Sequence, residues 1–117
     1  MRHRKSGRKL NRSTAQRRAL FRSLLGAVLW NGKIVTTEAK AKTIQPQVEQ
    51  IITLAKEDSP ARRRLAMTKL PNQRIVEKLF GEIGPAQKER AGGYTRIVRI
   101  GPRQGDAAMM VRLELIS

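Results

Sequence analysis

Residues 13–30 read STAQRRALFRSLLGAVLW, and this stretch decides the architecture of the chain. Its apolar residues recur at helical spacing and share one broad face. They are Leu20, Phe21, Leu24, Leu25, Val28 and Leu29. Ser13 and Gln16 have the spacing of a capping box, and either residue of Asn31-Gly32 tolerates the positive φ that ends many helices. The pattern predicts an amphipathic helix over residues 13–30 that buries one face in a core.

The segment before this helix is basic instead of apolar. Residues 1–22 contain nine Lys and Arg residues and no acid, in a chain whose net charge is +16. Between Met1 and Asn11 the only apolar residue besides the initiator is Leu10, so burial cannot fold this segment. A large polyanion would relieve the self-repulsion of such a charge, which is typical of a nucleic-acid binder. We therefore predict an extended basic arm over residues 1–12 and a single globular domain over residues 13–117.

A strand and a second helix are expected after the first helix. Lys33 to Thr36 is short and β-branched, which favours a strand. Thr37 can cap the next helix, whose apolar face continues to residue 55. Pro46 lies inside this helical pattern, where it removes a hydrogen-bond donor and crowds the preceding turn. We expect a kink near Gln45.

Two shorter helices are expected next. Ser59 is placed to cap the first, with Pro60 at its first helical position, and it should run to about Met67. The second begins after Pro71-Asn72 and has the apolar face of a short helix. Three helix breakers follow it, and we expect the helix to end there; they are Gly81, Gly84 and Pro85.

The last third of the chain has the two-residue period of strands. Tyr94 to Ile100 is rich in β-formers, and alternate residues of Met109 to Leu115 are apolar. Residues 101–108 separate them, so we predict a hairpin with a long basic loop, which the first strand can join. The predicted fold is α/β in two layers, with about four helices packed on a small three-stranded sheet and an extended basic N-terminal arm.

The basic residues are the candidates for a binding site. Arginine makes bidentate contacts with phosphate and stacks on bases, and seven of the nine early cations are Arg. Arg18 and Arg22 are four residues apart and share a side of the first helix. Arg62 and Arg63 belong to a triplet for which a solvated face is an equal alternative. We predict that the following residues bind RNA: Arg2, His3, Arg4, Lys5, Arg8, Lys9, Arg12, Arg18, Arg22, Lys40, Arg62, Arg63, Tyr94 and Arg96.

One of these assignments and one glycine pair also have open alternatives. His3 can stack or hydrogen-bond on RNA, or it can be an inert terminal residue. The two glycines before Tyr94 can give a flexible entry into a strand, or they can let the backbone approach a phosphate. Few aromatic residues are available, which argues for recognition of folded RNA by shape and backbone and against a stacking platform for single strands.

The inventory of reactive side chains argues against an enzyme. His3 is the only histidine and lies in the arm, where nothing holds it in the geometry that a general base needs. The chain has no cysteine, and Asp58 and Asp106 are each expected to form a turn. No carboxylate cluster suits a metal, and no glycine-rich loop suits a nucleotide. We expect no catalytic residue, no metal and no cofactor.

Four segments carry a family resemblance. They are MRHRKSGRKLNR over residues 1–12, residues 36–42 with TT and KAK, LFGEIGP over residues 79–85, and GGYTR over residues 92–96. In these segments the chain resembles the family of bacterial large-subunit ribosomal protein seventeen, in order over essentially its whole length. It departs at Thr43, where the family usually has Glu, and at Pro46, which puts the straightness of the second helix in doubt.

The resemblance implies a structural constituent of the large ribosomal subunit with helices against a three-stranded sheet. It implies contact with large-subunit rRNA near the polypeptide exit region, made in part through the arm, contact with neighbouring ribosomal proteins, and a place on cytoplasmic ribosomes. A DNA-binding architectural protein and a cationic membrane-surface protein are the alternatives that charge leaves open. We expect neither DNA nor a membrane as partner, and no homo-oligomer.

Overall fold

A computed structural model describes residues 14–116 of the chain. The first helix, α1, spans Thr14–Asn31 and buries Leu25, Val28 and Leu29 on the predicted face. Gly32 follows with a φ of +83°, and its N–H donates to the carbonyl of Val28 at 2.8 Å. This left-handed residue ends the helix where the sequence predicted. The predicted cap at Ser13 lies outside the described residues.

The strand and helix that follow confirm the prediction. Strand β1 spans Lys33–Thr37, and helix α2 spans Glu38–Leu54. The Thr37 hydroxyl oxygen accepts from the N–H of Lys40 at 3.4 Å and caps α2. The helix continues through Pro46 without interruption, and the expected kink stays a prediction. Thr43, one of the two departures from the family pattern, donates its hydroxyl to the carbonyl of Ala39 at 2.8 Å.

The next helices begin at their predicted caps. Helix α3 spans Pro60–Met67 and α4 spans Gln73–Lys78. Ser59 accepts from the N–H of Arg62 at 3.2 Å, and Asn72 accepts from the N–H of Ile75 at 3.1 Å. Each cap satisfies one backbone donor that the first helical turn leaves free.

The predicted end of α4 is wrong. The chain stays helical beyond Gly81, through a π-helical turn over Leu79–Ile83 and a last short helix, α5, over Gly84–Ala86. The wider turn keeps Phe80 and its apolar neighbours directed into the core. A Cβ at Gly84 would lie 2.2 Å from the carbonyl oxygen of Ala55. Gly84 therefore permits a close approach to α2 and does not break the helix.

Two strands complete the fold. Strand β2 spans Thr95–Pro102 and β3 spans Met109–Leu115, and they pair antiparallel as the predicted hairpin. Strand β1 joins them on the other side of β3, so the order is β1-β3-β2. Arg103 pairs with Asp106 at 2.5 Å inside the connecting loop, whose charges therefore balance; the expected basic loop is not formed.

One aliphatic core lies between the helices and one face of the sheet. Val28 and Leu29 of α1 meet Ile44, Val48 and Ile52 of α2, and these side chains have no exposed surface. Val111 and Leu113 supply the sheet side of this core. The predicted α/β architecture of four helices on a three-stranded sheet is confirmed. The core holds α1 against the body, so that its opposite side faces solvent.

Candidate nucleic-acid interface

The predicted arm contributes half of the candidate binding residues, and all of them lie outside the described residues. They are Arg2, His3, Arg4, Lys5, Arg8, Lys9 and Arg12. Their role stays a prediction. The described chain begins at Thr14, directly after the arm, so the surface around the start of α1 is the place where the arm joins the body.

A basic groove lies beside the first half of α1. It has a volume of about 340 Å³ and is bordered by Arg17, Arg18 and Arg22 of α1 and by Lys69, which follows α3. Phe21, Gln47 and Thr68 complete its walls, and none of its lining residues is acidic. We call this feature the α1 groove. Four cations around a solvent-open depression attract anions, because there is no carboxylate beside them to cancel the field.

The cations of the α1 groove differ in how they are held. Arg22 donates from Nη2 to the carbonyl oxygen of Leu70 at 2.8 Å, which fixes its guanidinium at the border of the groove. Within residues 14–116, Arg17, Arg18 and Lys69 have no ion-pair or hydrogen-bond partner for their side chains. Their donors remain available to an external acceptor. A bidentate arginine contact with phosphate is stronger than a neutral hydrogen bond.

Two of the three arginines of α3 are held by partners within the protein. Arg63 donates from Nε and Nη2 to both carboxylate oxygens of Asp58 at 2.7 Å, and it lies 5.4 Å from the ring centroid of Phe80. The Arg63 hydrogen bond lowers the pKa of Asp58 below its usual value. Arg62 donates to the carbonyl oxygen of Leu54 at 3.0 Å and pairs with Glu57 at 3.8 Å. Both guanidinium groups connect α3 to its surroundings.

Tyr94 lies in the core and not on the surface. Only 1% of its surface is exposed, and its hydroxyl shares a hydrogen bond of 3.1 Å with the Thr53 hydroxyl. Its backbone N–H donates to Glu49 at 3.1 Å, and the Lys56 ammonium lies 4.9 Å from its ring centroid. Hydrogen bonds from Lys56 and Thr53 lower the pKa of the phenol. The prediction that Tyr94 contacts RNA is not supported by this placement, because the ring is closed to an external partner.

The remaining candidates are exposed to different degrees. Arg96 is exposed on β2 and pairs with Glu114 of β3 at 3.0 Å. Arg112 also approaches that carboxylate, at 3.5 Å, and the two arginines lower the pKa of Glu114. Lys40 is half-buried in the first turn of α2 and has no ion-pair partner among the described residues. The structure thus brings Arg18 and Arg22 together, and it places Lys40 and Arg96 elsewhere.

The comparison with known protein families decides the assignment. The sequence model of the family described as ribosomal protein L17 matches residues 20–116. The chain belongs to the ribosomal protein L17 family. The match covers both strands of the hairpin and four-fifths of the chain, and it does not include the basic opening at residues 1–12.

Membership of this family establishes the general role of the protein. As an L17-family member the protein is a structural constituent of the large ribosomal subunit on cytoplasmic ribosomes, and not an enzyme. Its partners are rRNA and other ribosomal proteins. Within residues 14–116, no group of acidic or histidine side chains is arranged to hold a metal ion. The helices of that same part of the chain are too short or too polar to cross a membrane.

Sequence reasoning missed two cations of the α1 groove in this L17-family protein. Arg17, Phe21 and Leu25 are spaced by four residues, so helical spacing could have placed Arg17 beside the predicted pair Arg18 and Arg22. Lys69 comes from a different element and reaches the groove only through the packing of α3 against the helical layer. No local pattern in the sequence indicates that contact.

Proposed function

We propose that this L17-family protein binds folded rRNA by electrostatic contact, through its basic arm at residues 1–12 and through the α1 groove. The observation that supports this most directly is the uneven distribution of basic and acidic residues along the chain. Residues 1–22 hold nine basic groups and no acid; three of them, together with Lys69, border the α1 groove, which has no acidic lining residue. Cations placed along one path can follow a phosphate backbone, which is where most of the affinity for nucleic acid arises.

The contacts within this proposal differ in strength. Arg18 and Arg22 are the principal contacts of the body, joined by Arg17 and Lys69. Lys40, Arg62 and Arg96 are peripheral contacts, since they lie outside the groove and two of them are already paired with a carboxylate. Arg63 and Tyr94 have structural roles in this proposal: Arg63 pairs with Asp58 at the surface, and Tyr94 holds the segment after Gly92-Gly93 against α2.

The same proposal divides the chain into two parts. Residues 1–12 form the arm, which orders on rRNA, and residues 13–117 form one globular domain. We expect no binding to DNA in preference to rRNA, no membrane partner and no homo-oligomer. The measurements are competition with duplex DNA, flotation with anionic vesicles in the presence of rRNA, and sedimentation of the free chain.

The arm is tested by removing its charge. In the full-length chain, Gln replaces the six arm cations Arg2, Arg4, Lys5, Arg8, Lys9 and Arg12. If all six neutralise phosphates, native binding should weaken by roughly 10³–10⁵-fold between 50 and 200 mM salt, and the variant should lose most of this dependence. The readouts are affinity for large-subunit rRNA over a salt series and co-sedimentation with large subunits in a lysate.

A second arm variant is the matched control. Lys replaces Arg2, Arg4, Arg8 and Arg12, which keeps the charge and removes the planar donors. It should retain the salt dependence and lose only part of the affinity. If the Gln variant enters large subunits and binds rRNA as the native chain does, the proposed role of the arm is wrong. Recovery of the native chain on DNA and not on ribosomes would favour the architectural alternative.

A further inference from the structure

Trp30 is the only tryptophan of the chain, and 47% of its surface is exposed. It lies in the last turn of α1, at the end away from the arm, and borders two depressions of about 420 Å³ each. A large exposed aromatic residue is unusual in a chain whose aromatic content is 3%. The ring lies outside the core, whereas the other three aromatic residues, Phe21, Phe80 and Tyr94, are buried or half-buried.

Lys78 holds the indole in place from one of the two depressions. Its ammonium lies 5.2 Å from the centroid of the Trp30 ring and donates to the Trp30 carbonyl oxygen at 2.6 Å. Arg74, Glu77 and Glu82 border the same depression, so its charge is balanced. This contact holds the indole while 47% of the Trp30 surface stays exposed, and a ring that is already held loses little freedom when a ligand stacks on it.

The other depression, which we call the Trp30 pocket, has the composition of a nucleotide site. Ser23, Asn31 and Arg74 border it beside the indole, and its lining contains no acid. Gly26 forms its floor against Pro71, because a Cβ at that position would lie 2.7 Å from the proline Cγ. A flat aromatic surface, an amide and a hydroxyl complement a base, and a guanidinium complements its phosphate.

The Trp30 pocket is connected to the α1 groove along the helix. A third depression between them shares Arg18 and Arg22 with the groove, and it shares Ser23 and Pro71 with the pocket. From Arg18 to Trp30 the path covers roughly 18 Å of helix at 1.5 Å per residue. A strand whose phosphates lie in the α1 groove can therefore continue along α1 as far as the indole.

We propose that the Trp30 pocket receives one unpaired RNA base, which stacks on the indole while its phosphate meets Arg74. This inference rests on the proposed function, because the α1 groove supplies the backbone contacts that bring the strand to the pocket. The protein would then contact the base of one nucleotide in addition to recognising the shape and backbone of the RNA. An RNA segment with a bulged nucleotide fits this surface, whereas an uninterrupted duplex does not, since its bases are already stacked.

The single tryptophan makes the site directly measurable. Full-length protein is titrated with a short RNA hairpin that carries one unpaired adenosine, and with a fully paired hairpin of the same number of phosphates. The emission of Trp30 should be quenched by the bulged hairpin and much less by the paired one. Because stacking of one base contributes substantially to affinity, Trp30→Ala should bind the bulged hairpin about tenfold more weakly.

Two further variants separate stacking from bulk and from misfolding. Trp30→Phe keeps an aromatic face and should retain most of the preference for the bulged hairpin, whereas Trp30→Leu keeps apolar bulk and should lose it. All three variants should bind the paired hairpin with native affinity. Equal quenching by both hairpins, or equal affinity of Trp30→Ala and the native chain for the bulged hairpin, would overturn the inference.

A protein occupant and a failure of the proposed function have different signatures. Protection of Trp30 in assembled large subunits, with no quenching by the bulged hairpin, would assign the pocket to a neighbouring protein and overturn the inference. Neutralisation of the arm weakens binding of both hairpins if the proposed function is right. If that neutralisation changes nothing while Trp30→Ala still weakens binding of the bulged hairpin alone, the electrostatic proposal fails and the pocket stands.

Discussion

The arginines of the α1 groove differ in their surroundings from three arginines elsewhere, one on α3 and two in the hairpin, which we call the rim arginines. Among the rim arginines, Arg63 meets Asp58, Arg96 meets Glu114 and Arg103 meets Asp106. In the groove, Arg17, Arg18 and Lys69 meet no carboxylate within residues 14–116. The comparison teaches that the number of arginines does not identify an interface. The useful distinction is between cations that are already paired and cations that are free.

Neutralising the free cations should have the largest effect. The triple variant Arg17→Gln, Arg18→Gln and Lys69→Gln should bind large-subunit rRNA at least about tenfold more weakly, with a salt slope smaller by about 2, because three phosphate contacts are removed. The triple variant Lys33→Gln, Arg64→Gln and Lys88→Gln is the control. It removes the same charge from exposed positions elsewhere, and its affinity should change much less. Equal losses in the two variants would mean that only net charge matters.

A second prediction tests whether the buried residue Tyr94 contributes to stability and not to rRNA binding. Tyr94→Phe removes the hydroxyl that bonds to Thr53 and should lower the free energy of unfolding by about 1 kcal/mol. Its affinity for rRNA should equal that of the native chain, because the ring does not reach the surface. Chemical denaturation and an rRNA binding curve measure the two quantities. Weaker binding at unchanged stability would restore Tyr94 as a contact residue.

The third prediction compares an arginine that is paired within the protein with an arginine of the α1 groove. Arg63→Gln breaks the bidentate pair with Asp58, and the midpoint of thermal unfolding should fall by less than in Tyr94→Phe, since the pair is exposed. Its rRNA affinity should remain near native. Arg18→Gln should do the reverse, lowering affinity and leaving the unfolding midpoint in place. The comparison between groove and rim arginines fails if both variants behave alike.

The smallest expected effect is a local change at acid pH. Arg103 and the N–H of Ala108 hold the pKa of Asp106 at about 2, below its ordinary value of 3.8. The carboxylate therefore stabilises the loop at pH values above 3.8, and this contribution disappears as the pH falls through about 2. An NMR titration of Asp106 should have its midpoint near that value. In Arg103→Gln the midpoint should rise toward the ordinary value.

The sequence correctly predicted the features of the fold that depend on local patterns of residues. The helix periods, the caps at Thr37 and Ser59 and the alternation in Met109 to Leu115 depend on neighbouring residues, and these elements appear where expected. The end of α4 depends instead on a contact between Gly84 and Ala55, which are 29 positions apart. A glycine needed for close approach and a glycine that ends a helix look the same in a sequence.

The candidate site was predicted less completely than the fold, for a related reason. Spacing within one helix was enough to associate Arg18 with Arg22. It could not indicate that Lys69 reaches the same groove, that Asp58 occupies Arg63, or that Tyr94 points inward to Thr53 and Glu49. Each of these contacts depends on where another element packs. The periodicity of a single helix or strand does not indicate that position.

The position of β3 has a consequence for the synthesis of the chain. This strand lies in the middle of the sheet and is the partner of both β1 and β2. While a nascent chain is still being translated, Lys33–Thr37 and Thr95–Pro102 can form no part of this sheet until residues 109–115 have emerged from the tunnel. The proposed contact of the basic opening with RNA can therefore form long before the sheet behind it is complete.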